Sequence, residues 1–192
     1  MEKLSDIPQG PLTPDEFLAW QEDRAFEGRY ELYDGRVFEM QAERNQHAVA
    51  KLEAIYQFVS QLGFNGPSRP YTDGMAVKLP EGSVFEPDAM IRCGEPLGTE
   101  VIYIEDPTVI VEVISPSNSR LQVIAKQNSY FSCETIRHVI VIDLKMRTLT
   151  HTERGPAPDK FLISLYRGGV VTVDPPGVTL DLDAIFAAVD AA

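Results

Sequence analysis

Between Val109 and Ile114 the chain runs Val-Ile-Val-Glu-Val-Ile, an apolar strand interrupted by one carboxylate. Near-continuous apolar runs of this length predict strands covered on both faces of a mixed or parallel sheet. Val139 to Ile142, ending at Asp143, is a second such run, and a helical stretch from about Arg120 to Cys133 lies between them. Strand–helix–strand predicts a right-handed parallel crossover. Upstream, Thr13-Pro14-Asp15-Glu16 is a capping box with proline at the first helical position, predicting a short helix to about Glu22. Asp34-Gly35 joins the strand-like Arg29–Tyr33 and Arg36–Met40, a strong hairpin signal. Val49, Leu52, Ile55, Tyr56, Val59 and Leu62 recur at three- and four-residue steps and predict an amphipathic helix over 43–62, ended by Gly63.

Further on, Tyr71–Leu79 and Val84–Ile91 read as two strands around the Pro80-Glu81-Gly82 turn, with a short edge segment at 100–104. Ser115 to Ser119 reads as a polar turn, and Leu121, Ile124, Asn128 and Phe131 are spaced around one face of the following helix. Thr148–Thr152, Phe161–Tyr166 and Val170–Val173 predict antiparallel strands, and Leu182–Val189 a closing helix. The pattern predicts an α/β protein: a mixed sheet flanked by helices, with an antiparallel hairpin and antiparallel C-terminal strands. Residues 1–12 read as a flexible arm and 13–192 as a single domain.

Composition narrows the function. The 192 residues carry 17 Lys and Arg against 29 Asp and Glu, a net charge of −12. Nucleic-acid binding needs basic groups on phosphates, so this balance argues for a local patch or a metal rather than a broad basic face. Cys93 and Cys133, forty positions apart and outside any C-x-x-C pair, read as reduced thiols of a cytoplasmic protein. No apolar stretch is long enough to span a bilayer, and the first residues carry no signal-peptide pattern.

The chemistry concentrates on a few polar groups. A carboxylate inside an apolar strand must be paired, hydrogen-bonded or metal-bound. Asp88 stands in a comparable setting, between Val84-Phe85 and Ala89-Met90-Ile91, and the two carboxylates can meet at one Mg²⁺ or Mn²⁺. Gln122, Lys126 and Tyr130 follow at four-residue steps, which directs Lys126 toward the mouth at Glu112, beyond the carboxyl end of its strand. Lys78, on the preceding strand, is the rival lysine. The same residues have plainer readings: Asp88 as a partner of Arg92, Glu31 as a partner of Arg36, His47 as a helix-start histidine, and Tyr130 and Phe131 as core.

Pro87-Asp88, then Glu112-Val113-Ile114-Ser115-Pro116-Ser117, then Lys126-x-x-x-Tyr130, resembles the PD-(D/E)XK nuclease superfamily, and more closely its Uma-type restriction-endonuclease family, long classed as a domain of unknown function. Tyr30-Glu31-Leu32-Tyr33-Asp34-Gly35, His47 and Val139–Asp143 extend the resemblance over about residues 12–185. It implies a restriction-endonuclease-like core and a Mg²⁺-dependent (or Mn²⁺-dependent) endonuclease acting on DNA. Asp88 and Glu112 would be metal ligands, Lys126 catalytic, and Glu31 and His47 at or beside the site. Ile114 stands where the general motif has lysine, and the branch moves that lysine to the helix, where Lys126 fits. Gln122 stands where relatives often carry aspartate. A homodimer is expected, since nucleases that cut both strands commonly pair and small α/β domains present free sheet edges. Two other classes share these features: an inactive fold-mate that binds nucleic acid or protein, and a structural interaction protein.

Overall fold

The computed structural model describes residues 7–23, 28–114, 120–157 and 159–192. In chain order the elements are α1 (Pro14–Glu22), β1 (Tyr30–Tyr33), β2 (Arg36–Glu39), α2 (Asn45–Leu62), β3 (Ser68–Thr72), β4 (Ala76–Lys78), β5 (Val84–Phe85), β6 (Ala89–Cys93), β7 (Tyr103–Ile104), β8 (Val109–Ile114), α3 (Arg120–Tyr130), β9 (His138–Asp143), β10 (Thr148–Arg154), β11 (Phe161–Tyr166), β12 (Val170–Val173), β13 (Val178–Asp181) and α4 (Leu182–Asp190). The predicted Ser115–Ser119 turn lies outside the described residues, as do the side chains of Leu121 and Gln122. Among the described residues no helix is long and apolar enough to cross a membrane.

A six-stranded sheet ordered β11-β10-β9-β8-β6-β3 forms the centre. Only β8 and β9 in it run parallel, joined by the crossover through α3. Side chains alternate across β8. Val109, Val111 and Val113 enter one core, with α2, α4 and the β12–β13 hairpin. Ile110 and Ile114 face a second core, with Tyr130 of α3 and Val77 and Phe85 of a five-stranded sheet ordered β2-β1-β5-β4-β7. Glu112 therefore faces α3 and the smaller sheet. On that sheet's far side α1 buries Phe17 and Leu18 against Tyr30 and Leu32, and Ile7 and Leu12 pack partly buried against the same cluster.

Local signals are realised where chemistry is local. The Thr13 side chain caps the Glu16 N–H while Glu16 reaches back to the Thr13 N–H at 2.8 Å. Asp34 and Gly35 both take positive φ, 49° and 72°, which a tight hairpin turn matching strand twist requires.

Three expectations are corrected. The segments 71–79 and 84–91 are each two strands in different sheets: β3 and β6 pair in the central sheet, β4 and β5 in the smaller one. The first breaks at Asp73-Gly74, where Gly74 has φ 88°. The second breaks at Glu86-Pro87, since proline has no N–H for a ladder. Helix α2 is also turned: His47, Ala50, Ala54 and Phe58 are buried, whereas Leu52 and Tyr56 stand exposed. Alanines at four-residue steps let the helix approach the sheet closely, and Phe58 fills the remaining space. On α3, Ile124 and Asn128 are exposed, and the helix ends at Tyr130. Strand β13 is an element the sequence pattern did not separate from the turn before α4.

Across β9 and β10 the buried rings of His138 and His151 meet, Nδ1 to Nε2 at 2.9 Å. One nitrogen must donate and the other accept, so the two rings cannot both be charged while this contact holds. Burial holds both pKa values below the ordinary 6.5, and for His138 the neighbouring His151 adds to it. A depressed base contributes stability above its unfolded value that disappears as pH falls through the folded value. The urea midpoint should therefore drop as pH falls below about 6.5, more steeply in wild type than in His151→Gln. Equal pH slopes in the two proteins would remove this pair from the acid response.

Candidate active site

Register sets the centre of the site. Ala89 opposes Val111, so Asp88 lies one step on, opposite Glu112, where β6 has not yet begun. Pro87 cannot extend the ladder there, and the Asp88 side chain takes the place of a strand: its Oδ2 accepts the Val113 N–H at 2.6 Å. His47, in the first turn of α2, closes the other half of that residue, with Nε2 2.7 Å from the Val113 carbonyl. A carbonyl can only accept, so Nε2 carries the proton.

Asp88 Oδ2 is 3.4 Å from the same nitrogen, and Glu43 Oε2 is 3.2 Å from Nδ1, off the line of a hydrogen bond. Burial works to lower the His47 pKa, but the Asp88 contact and the charges of Asp88 and Glu43 outweigh it and raise the pKa to about 9. Glu43, His47 and Asp88 each offer a ligand atom, and these lie within 4.8 Å of one another.

On the neighbouring side, Lys126 Nζ sits 2.7 Å from Glu31 Oε1 and 3.2 Å from Glu112 Oε1. The hydroxyl of fully buried Tyr130 donates to the same Glu112 oxygen at 2.5 Å. Burial pushes the Glu112 carboxyl up to about 7; Lys126 pulls against this, while Asp88 and Glu31 add to it. For Lys126 burial alone would lower the pKa, yet the charges of Glu112 and Glu31 win and raise it, so the group stays an ammonium. Glu31 also accepts the Glu86 N–H at 3.0 Å, which ties the hairpin to the β5–β6 turn.

All five predicted residues, Glu31, His47, Asp88, Glu112 and Lys126, line one cleft of about 450 Å³. They fall into two groups: Glu31, Glu112 and Lys126 with Tyr130, and His47 and Asp88 with Glu43. Lys78 instead pairs with Asp15 at 2.7 Å, and Arg92 pairs with Asp106, leaving Asp88 to the cleft.

Sequence reasoning missed Glu43 and placed Tyr130 in the core without its contact. Glu43, His47 and Lys51 stand at four-residue steps, a signal that could have found the first: Lys51 bonds Glu43 at 2.6 Å and Asp73 at 3.0 Å. Arg29 continues the ionic chain from Asp73, at 2.8 Å, to Glu86, at 2.7 Å.

The fold and this cleft define a mixed α/β protein of nuclease-like architecture. Its coordinates superpose with a TM-score of 0.74 on the crystal structure of a "putative nuclease belonging to DUF820" from Anabaena variabilis, over 93% of this chain and 99% of that one. The two are 17% identical, so the likeness is one of fold. Residues 14–184 match the Uma2 family, described as "Putative restriction endonuclease", and the chain belongs to that family. An uncharacterized protein of Synechocystis, slr1290, is 24% identical over 118 residues, 59% of this chain and 60% of that protein's length.

Removing the ammonium tests the first group. Lys126→Met leaves Glu31 and Glu112 facing one another under cover and should cost about 3–5 kcal/mol in urea unfolding. Adding Glu31→Gln and Glu112→Gln to that variant should recover most of the loss. A single-variant cost below about 1 kcal/mol would mean the pair is already solvated.

Proposed function

We propose that this chain is a divalent-metal-dependent endonuclease that hydrolyses phosphodiester bonds in DNA, with Mg²⁺ or Mn²⁺ as the ion. The observation that carries the reading is the Lys126 ammonium lodged between Glu31 and Glu112 beside Asp88 and His47, all on one cleft. The donor set fits a hard cation. Asp88 and Glu112 are carboxylates one register step past the Ala89–Val111 pair, and Glu43 brings a ligand atom within 4.8 Å of Asp88. Asp88 and Glu112 would hold the ion, with Glu43 and His47 beside it. Bound there, it would act as a Lewis acid on the phosphate and offset carboxylate charge that would otherwise repel the substrate.

The chain's own groups have separate roles. Held between two carboxylates, the Lys126 ammonium is a hydrogen-bond donor; it orients the attacking water or the scissile phosphate and stabilises the charge that develops. Glu31 keeps that ammonium in place at 2.7 Å. Tyr130 fixes the rotamer of Glu112 from below, and His47 with Asp88 fixes the Val113 peptide that follows it.

Cleavage of supercoiled plasmid and oligonucleotides, with and without Mg²⁺, tests this. Wild type should nick only with the ion, and Asp88→Ala with Glu112→Ala should lose activity by about 10²-fold or more. Calorimetric titration should show metal binding in wild type and none in the double variant. Equal weak binding in both, with no cleavage, would instead assign the chain to the binding modules.

We also propose that the protein works in the cytoplasm as a homodimer formed through β11. Both cysteines are free, which fits a reducing compartment. Strand β11 is the outer strand of the central sheet, contains no charged residue, and exposes Leu162, Ile163 and Leu165. Edges of this kind invite pairing unless charge or proline protects them, and two antiparallel copies satisfy a two-fold axis. Ile163→Lys with Leu165→Lys should halve the mass found by light scattering at micromolar concentration while keeping the circular dichroism spectrum. A wild type already monomeric there would sink this assembly.

A further inference from the structure

The hairpin that delivers Glu31 to the cleft delivers aromatic rings as well. In its register Glu31 opposes Phe38 and Tyr33 opposes Arg36, and opposed residues of an antiparallel pair share a face. Tyr30 and Leu32 turn the other way, into the α1 core. Glu31 reaches Lys126, so the shared face looks into the cleft, and Tyr33 and Phe38 both line it, 38% and 46% exposed. Tyr33 is backed by Phe85, with ring centroids 6.1 Å apart and planes 30° off parallel. Phe85 meets Tyr130 edge-on at 5.4 Å, and the Lys126 ammonium lies 5.2 Å from the Phe85 centroid. A row of rings thus runs from the mouth of the cleft to the phenol that holds Glu112.

Charge makes those rings matter. Glu31, Glu39, Glu43, Glu86, Asp88 and Glu112 line the cleft, against Arg44, Lys126 and His47 among its described residues. Lys126 is engaged by two of the carboxylates. Phosphate attraction, the usual source of nucleic-acid affinity, is therefore weak at this mouth. Ring faces bind bases without needing positive charge, and each stacked base adds appreciably to affinity whatever its sequence. A duplex keeps its base faces against one another, whereas an unpaired strand presents them.

We propose that Tyr33 and Phe38 form a nucleobase-stacking platform at the mouth of the cleft, so that the site takes strands with unpaired bases in preference to duplex. The proposal deepens the nuclease reading and rests on it for the identity of the ligand.

The test is fluorescence anisotropy in Ca²⁺ with three probes: a labelled single-stranded deoxyoligonucleotide, an abasic strand of the same length and charge, and the corresponding duplex. Wild type should bind the base-bearing strand about tenfold or more tightly than either of the others. Tyr33→Leu with Phe38→Leu keeps apolar bulk and removes the flat rings. It should lose about tenfold on the base-bearing strand and nothing on the abasic one. Equal wild-type affinity for abasic and base-bearing strands, or an equal loss on both in the variant, overturns the platform.

The two readings fail separately. Base-dependent binding with no ion-dependent cleavage removes the nuclease and leaves the platform. Ion-dependent cleavage with no base dependence removes the platform and leaves the nuclease.

Discussion

A carboxylate buried in the middle of an apolar strand organises this molecule. Glu112 stands between Val111 and Val113 on a strand covered on both faces, where a bare charge would be far costlier than any single contact in the fold can offset. Its surroundings come from two elements. Lys126 and Tyr130 arrive from α3, one turn apart, and Glu31 arrives from the hairpin to hold the ammonium. Remove any one and the others are stranded, because a buried ionic group is stabilised by the completeness of its shell. The β8–α3–β9 crossover, the packing of the small sheet over the large one and the entry of the hairpin together bring these groups to one place.

The end of the same strand imposes a second constraint. Past Ala89 the β6 ladder stops, because Pro87 has no N–H and turns the chain toward the smaller sheet. The edge of β8 is left with the Val113 N–H and carbonyl unpaired by a strand. Asp88 accepts from one and His47 donates to the other, so two groups of the cleft also complete the sheet. This explains why α2 places His47 on its buried face and why alanines at 50 and 54 follow it. A larger side chain at either position would lift the helix and draw His47 away from Val113.

How much of this the sequence displayed depended on whether the deciding contact was local. The α1 cap and the Asp34-Gly35 turn depend on groups within three residues of one another, and both stood plainly in the pattern. The β8–α3–β9 unit was legible because apolar runs and handedness leave one arrangement. The division of 71–79 and 84–91 between two sheets was not legible, because alternation gives the face of a residue and not the sheet it joins. The buried face of α2 was misjudged because Leu52 and Tyr56 outweigh Ala50 and Ala54 in hydrophobicity, although the alanines decide how close the helix can lie. Among the residues that line the cleft, Glu112 was visible through its incongruous neighbours, and Asp88, Lys126, Glu31 and His47 through motif and resemblance. Tyr130 was hidden because an aromatic in a core needs no other explanation, and Glu43 because its partners come from Lys51 and His47 only once α2 is formed.

Acidity and a nucleic-acid substrate are opposed only if affinity must come from a basic surface. Here the carboxylates are gathered where a divalent cation would be held, and Lys126 and His47 are fixed among them rather than spread as a steering field. An ion bound at such a place reverses the sign of the local potential over a few ångströms, while the rest of a −12 molecule continues to repel phosphate. With the proposed ion in place the site would be attractive at its centre and repulsive around it, which would disfavour long non-specific contact with a duplex backbone. Recognition must then come from groups at the cleft itself. The hairpin that supplies the lysine's counter-charge also supplies the exposed rings beside it, so one small element sets both the electrostatics of the cleft and the surface that the proposed substrate would meet.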